Sequence, residues 1–233
     1  MRVGVIQSNY LPWRGYFDFI DDVDLFVFHD DVQFTKGDWR NRNRLKTADG
    51  TRWMTVPVHY DRTAQRICDT TIDYSRHWQR DHRNAITASL THAPFLADVL
   101  ALLQPSWDAR HQTISDLNVA LIEAVCHYLD IRTPLRMSSD FRLHGARTER
   151  LIELLTAVGA TTYLSGPAAR AYLDEEQFER AGIRLEYKEY SYPAYPQQWG
   201  AFEGGVSIVD TIANCGPATR HVLKSRPRAG IAA

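Results

Sequence analysis

The stretch RVGVIQSNYLPWRGYFDFIDDVDLFVFHDD, residues 2–31, decides the fold. It opens on RVGVI, a short apolar run that reads as a buried strand. A Tyr-Leu-Pro-Trp turn follows, then WRGYFDFIDDV (13–23), where Tyr16, Phe17 and Ile20 recur at helical spacing. LFVFHDD (25–31) is a second apolar run, ending in His29, Asp30 and Asp31. A strand, a helix and a strand within about thirty residues make the length of a parallel crossover unit.

The same alternation returns after a helical middle. RWMTVPV (52–58) reads as a strand, with Pro57 marking an edge or an end. Ile86, Leu90, Phe95, Val99 and Leu102 mark helix over 76–103, divided at Pro94, and Ile114, Leu117, Leu121, Val125 and Tyr128 give a stripe over 107–129. Strands at 133–139, 162–166 and 183–192 then alternate with helices at 147–160 and 168–182, and a last helix at 206–216 stops at Gly216 and Pro217. The pattern predicts an α/β chain with a Rossmann-like parallel sheet flanked by helices and a helical insert in the middle, at about 74–130. A single domain is expected over residues 1–225, with a flexible tail at 226–233.

Composition narrows the function classes. Against 28 Asp and Glu stand 27 Lys and Arg, so no global field draws nucleic acid or membrane, and such attraction must be local. Cys68, Cys126 and Cys215 are far apart and form no C-x-x-C pair, which argues against a disulfide framework or a structural zinc site. MRVGVIQSNY lacks the apolar core of a signal peptide, and no run reaches membrane-spanning length; a cytoplasmic protein without a membrane partner is expected.

In doubly wound sheets ligands sit outside the carboxyl ends of the strands. That rule points to Gln7–Tyr10, His29–Gln33, Ser138 and Ser139, Ser165–Pro167 and Tyr190–Tyr195. In the opening turn Gln7 and Asn9 offer amide groups, while Tyr10 and Trp13 are either core rings or pocket wall. Asp30 or Asp31 is a candidate general base, with helix capping or pairing to an arginine as the bland alternative, and no metal site is assigned. If the strand continues, the two carboxylates point to opposite faces. His29 and His82 are the other candidate bases, each equally readable as structural. Arg40, Arg42, Arg44 and Lys46 recur with period two, so on an extended strand they share one face. With Asn41, Gln33, Lys36, Phe34 and Trp39 nearby, they make a candidate phosphate or nucleotide contact, or else a solvated face. At 163–173 Ser165 and Gly166 end a strand before Pro167 begins a helix, which is either a backbone anion site or a simple cap. Cys215 sits at a helix C-terminus, where the dipole raises a thiol pKa and disfavours a nucleophile.

Together IQSNYLPWRGYFDFID, VFHDDVQFTKGDWRNRNRLKT, TVPV, ERLIELLTAVGATTYLSGPAARAYLDEEQFERAGI and SIVDTIANCG resemble the WbqC-like proteins, in the same order over nearly the whole chain. The resemblance implies a bacterial cytoplasmic enzyme of surface-polysaccharide or specialised-metabolite pathways, without assigning its reaction. By position it carries over Gln7, Tyr10, Trp13, Gly15, Tyr16, Asp30, Asp31, Gln33, Lys36, Trp39, Arg40, Asn41, Arg42, Lys46, Ser165, Gly166 and Pro167. Ser8 stands where the family pattern expects a proline. The turn is also similar to that of nucleotidyltransferase-like folds, but Trp13 and Tyr16 occupy the places of their histidine pair, which speaks against that chemistry.

The first expectation is a small-molecule group-transfer enzyme that moves an acyl or aminoacyl group to an amine or hydroxyl. Its substrate would be phosphorylated or nucleotide-linked, with tRNA as a further partner, and the cofactor is left open. The alternatives are an ATP-dependent nucleotidyl- or adenylate-forming enzyme and a non-catalytic nucleotide-sugar or tRNA-binding protein.

Overall fold

The computed structural model describes residues 1–61 and 64–224, so the tail expected at 226–233 lies outside the described residues. The opening stretch folds as β1 (Arg2–Ile6), α1 (Arg14–Asp21) and β2 (Leu25–Phe28), with β1 and β2 parallel and Val5 opposite Val27. Three later strands join them: β5 (Leu135–Met137), β6 (Thr162–Ser165) and β7 (Arg184–Tyr187). The sheet runs β5-β2-β1-β6-β7, and every neighbouring pair is parallel. Numbered by their order in this sheet, the strands read 3-2-1-4-5, the doubly wound Rossmann arrangement.

Alternation along the strands assigns the two faces. Val3, Val5, Val27 and Tyr163 pack with Leu151, Leu154 and Leu155 of α5 (Arg147–Ala157) and Phe178 of α6 (Glu175–Arg180). Phe26, Phe28 and Leu164 face the larger core, which contains α1, α4 (Ile114–Tyr128) and α7 (Ile208–Cys215). Gly4 lets α1 lie close to the sheet, because a Cβ there would come 2.4 Å from Cε1 of Phe19.

The crossover from β2 to β5 carries the insert, and it begins earlier than the helical pattern indicates. An antiparallel hairpin, β3 (Arg42–Thr47) and β4 (Gly50–Thr55), precedes the helices, and Gly50 at φ 105° starts its second strand. The helices α2 (Trp78–Ser89) and α3 (Leu96–Asp108) divide around Pro94, as the sequence predicts. The helix expected over 107–129 is shorter. Arg110 adopts φ 49°, and Thr113 with Asp116 forms a capping box that starts α4 at Ile114.

Two further expectations change. The helix expected over 168–182 becomes a short 3-10 turn, Pro167–Ala171, and then α6, because the Asp174 side chain caps a fresh helix start. The strand expected over 183–192 ends at Tyr187. Lys188 donates its N–H to Ser165 O and then turns its ammonium inward to Asp18, 2.7 Å away and fully buried on α1, and to Asp22. Residues 188–206 therefore leave the sheet and cross toward the hairpin before α7 begins.

Candidate functional site

From β1 the chain moves to β2 on one side and later supplies β6 on the other. Connections that diverge in this way leave a crevice at the carboxyl ends of the strands. A cleft of ≈ 500 Å³ occupies that place, lined by Gln7 after β1, His29 after β2, Arg147 and Thr148 at the start of α5, and Tyr163 and Tyr172.

His29 is held at its base by its own N–H, which donates to Ile6 O at 3.1 Å. Its Nε2 lies 3.7 Å from Asp31 Oδ1 and is buried without a hydrogen-bond partner among the described residues. Asp31 accepts the Ser138 hydroxyl at 2.5 Å and pairs with the Arg150 guanidinium on α5. Burial pulls the His29 pKa below its ordinary value even though Asp31 attracts the charged form, so the imidazole is neutral near pH 7. Burial pushes Asp31 upward, but the Ser138 hydroxyl and Arg150 outweigh it and hold the carboxyl below its usual range. The arrangement is a neutral base backed by a fixed anion, which is itself anchored by a cation.

Arg147 borders the same cleft and is exposed. Its side chain has no hydrogen bond and no carboxylate within 4.0 Å among the described residues. Its φ of 51° is rare for a side chain of this size, a kind of strain that recurs at ligand sites. The helix start beside it has no side-chain cap.

Asp30 has a different part. It is fully buried and accepts the Ser8 N–H at 2.7 Å and the Ser115 hydroxyl at 2.5 Å. Asn118 of α4 donates to Ser8 Oγ at 3.1 Å and to Arg40 O at 2.8 Å. The carboxylate thus ties the opening turn to the insert. A proline at position 8 would lack the N–H that Asp30 receives.

Beyond Ser8 the turn crosses to the hairpin. Tyr10 N–H donates to Trp39 O at 3.0 Å, and Asn43 donates to Leu11 O at 2.9 Å. Between turn and hairpin lies a second cavity of ≈ 290 Å³, bordered by Asn9, Trp13, Trp39, Asn43, Arg44 and Gly205.

The residues singled out from the sequence therefore separate. Gln7 and His29 border the cleft, with Asp31 behind His29, whereas Asn9, Trp13, Trp39 and Arg44 border the second cavity. Tyr10 and His82 lie in the core, with Tyr10 Oη 2.8 Å from His82 Nδ1, and burial lowers His82 to about 4. The period-two face is real but largely covered, with Arg44 also bordering the second cavity. Arg42 lies 4.0 Å above the Trp53 ring, Arg44 donates to Gly205 O, and Lys46, 4% exposed, donates to Gln197 at 2.8 Å. Arg40 precedes the strand and turns to Asn9 and Asp38. Asn41 is buried and donates to Val56 O, while Gln33 and Lys36 are exposed at the approach to the hairpin. Ser165 is buried, with its hydroxyl 3.3 Å from the Tyr163 hydroxyl, and Gly166 leads into the 3-10 turn rather than a continuous helix. Burial raises the Cys215 thiol pKa.

Arg147, Thr148, Arg150 and Tyr172 are absent from the sequence reading. One signal existed for two of them: Arg147 and Arg150 stand in the first turn of a predicted helix, where the dipole disfavours cations. Arginines placed there imply partners that helix formation does not supply.

The model of the WbqC-like protein family matches residues 7–222 of the chain. The uncharacterized protein Rv1507c of Mycobacterium tuberculosis (strain ATCC 25618 / H37Rv) is 44% identical over 226 residues, covering 96% of this chain and 97% of that one. No solved structure matches.

Proposed function

This chain belongs to the WbqC-like protein family, and from that premise we propose that it is a small-molecule group-transfer enzyme working in the cleft at the sheet's switch point. The reading rests on one observation: the neutral imidazole of His29 borders that cleft and is backed by Asp31 and Arg150. A base that is unprotonated at neutral pH and faces a cleft can accept a proton from an incoming amine or hydroxyl. The acceptor then forms its bond to the carbonyl carbon of an activated acyl or aminoacyl donor. The imidazolium, stabilised by Asp31, returns the proton to the departing group. Arg147, which borders the cleft and which no carboxylate contacts among the described residues, would hold a phosphate or carboxylate of the donor.

Relative to the sequence expectation, the anion-binding role in this cleft falls to Arg147, because none of the hairpin arginines borders it. The pathway setting, surface-polysaccharide or specialised-metabolite biosynthesis, is part of the proposal.

The test pairs a thermal-shift screen of nucleotide sugars, coenzyme A thioesters and ATP with magnesium with mass spectrometry of mixtures containing amino-sugar acceptors. Arg147→Met is expected to weaken the stabilising shift. His29→Asn is expected to keep the shift and lose product. Product formation undiminished in His29→Asn would overturn the assignment of the base. A shift confined to ATP with magnesium would favour adenylate formation instead.

A further inference from the structure

The second cavity lies across the opening turn from the cleft, with Gln7 on one side and Asn9 and Trp13 on the other. We propose that this cavity binds a small acidic molecule of monosaccharide size, carrying a carboxylate or a phosphate.

Its polar lining offers donors. Arg44 borders the cavity, donates to Gly205 O at 2.9 Å, and has no carboxylate within 4.0 Å among the described residues. A half-buried guanidinium that no carboxylate contacts favours an anion. Asn9 adds to this. Its Oδ1 accepts from Arg40, an orientation set by chemistry because a guanidinium only donates. The Asn9 amide N–H groups are left without a protein partner among the described residues. Asn43, in contrast, is already satisfied, since its Nδ2 holds Tyr10 O and Leu11 O and its Oδ1 takes the Arg44 N–H at 2.8 Å.

The remaining walls define the rest of the ligand. Trp13 and Trp39 give flat apolar surfaces with an N–H on each ring, which suits a body with both apolar faces and polar edges. A volume of ≈ 290 Å³ is near the small end of ligand pockets, so a single sugar ring or an amino acid fits and a nucleotide does not. Gly205 leaves room for the guanidinium, because a Cβ there would come 2.8 Å from Arg44 Nη2.

The experiment uses the full chain with three probes: glucuronate, glucose 1-phosphate and neutral glucose. Isothermal titration gives affinities, and the six tryptophan indole N–H signals in a ¹H–¹⁵N spectrum give the location. Trp13→Phe and Trp39→Phe assign the two relevant signals. At least one acidic probe is expected to saturate, with glucose weaker by about tenfold or more, the loss expected for one charge-assisted contact. The shifts are expected to concentrate on Trp13 and Trp39. Whether glucuronate or glucose 1-phosphate binds more tightly separates carboxylate from phosphate. Arg44→Gln should abolish the preference for acid. Trp39→Ala, at a side chain 38% exposed, should weaken binding without unfolding the protein. Equal binding of glucose, shifts confined to the other four tryptophans, no saturation by either acid, or an unchanged affinity in Trp39→Ala would each overturn the proposal. None of these outcomes bears on His29, because neither ring borders the cleft.

Discussion

Replacing Asp31 by Asn removes the anion between His29 and Arg150 while keeping an oxygen for the Ser138 hydroxyl. The Asp31 side chain is 6% exposed and that of Arg150 is 24% exposed. Breaking a fully buried pair costs about 3–5 kcal/mol, and an exposed pair less than about 1 kcal/mol. Arg150 retains Leu143 O at 2.9 Å and some water, so the loss falls between these limits, at about 2 kcal/mol. In urea that moves the unfolding midpoint down by about 1 M. The pH dependence has a definite sign. The folded pKa of Asp31 is depressed, so its contribution is fully present above the unfolded carboxyl value and is lost as pH falls through the folded one. The gap between wild type and variant should therefore be open at pH 7 and close in strong acid. In the variant His29 also loses the charge that favours its protonated form, so its pKa, read by NMR titration, should drop further. Equal midpoints at pH 7, or a gap that persists unchanged in strong acid, would refute this account of the cleft.

Two other outcomes follow from the packing. Gly4→Ala should destabilise by about 1–3 kcal/mol, because its Cβ would meet the Phe19 ring, and Phe19→Leu in the same chain should recover part of the loss in urea unfolding. His82 titrates near 4 when folded and near its ordinary value when unfolded, so its contribution is complete above about pH 6.5 and is lost as pH falls toward 4. That amounts to about 3 kcal/mol at most, and His82→Gln, which keeps an acceptor for Tyr10, should flatten this part of the stability–pH curve.

Much of the frame was readable because it depends on neighbours in sequence. The apolar run at 2–6, the helical spacing of Tyr16, Phe17 and Ile20, and the second run at 25–28 are local patterns, and the parallel β-α-β unit follows from them. Strand ends could be named for the same reason, and Gln7 and His29 at two of those ends border the cleft. The helix boundaries at Arg110 and Asp174 were harder, since one left-handed residue or one capping side chain reset them inside otherwise continuous apolar patterns.

The period-two basic run shows where local reading stops. By itself the sequence determined that Arg42, Arg44 and Lys46 share a face of a strand, because side-chain alternation belongs to the extended backbone. Only the tertiary structure decided what that face meets: the Trp53 ring, the Gly205 carbonyl and the Gln197 amide, the last two on the segment after β7. The Asp30 and Asp31 pair behaves in the same way. Their adjacency after a strand is sequence. Ser8 and Ser115 around one, and Ser138 and Arg150 around the other, come from elements far apart in the chain. A side chain's charge is written in its residue type, but its partners depend on the close packing of distant segments, so only the folded chain determines what that charge can do.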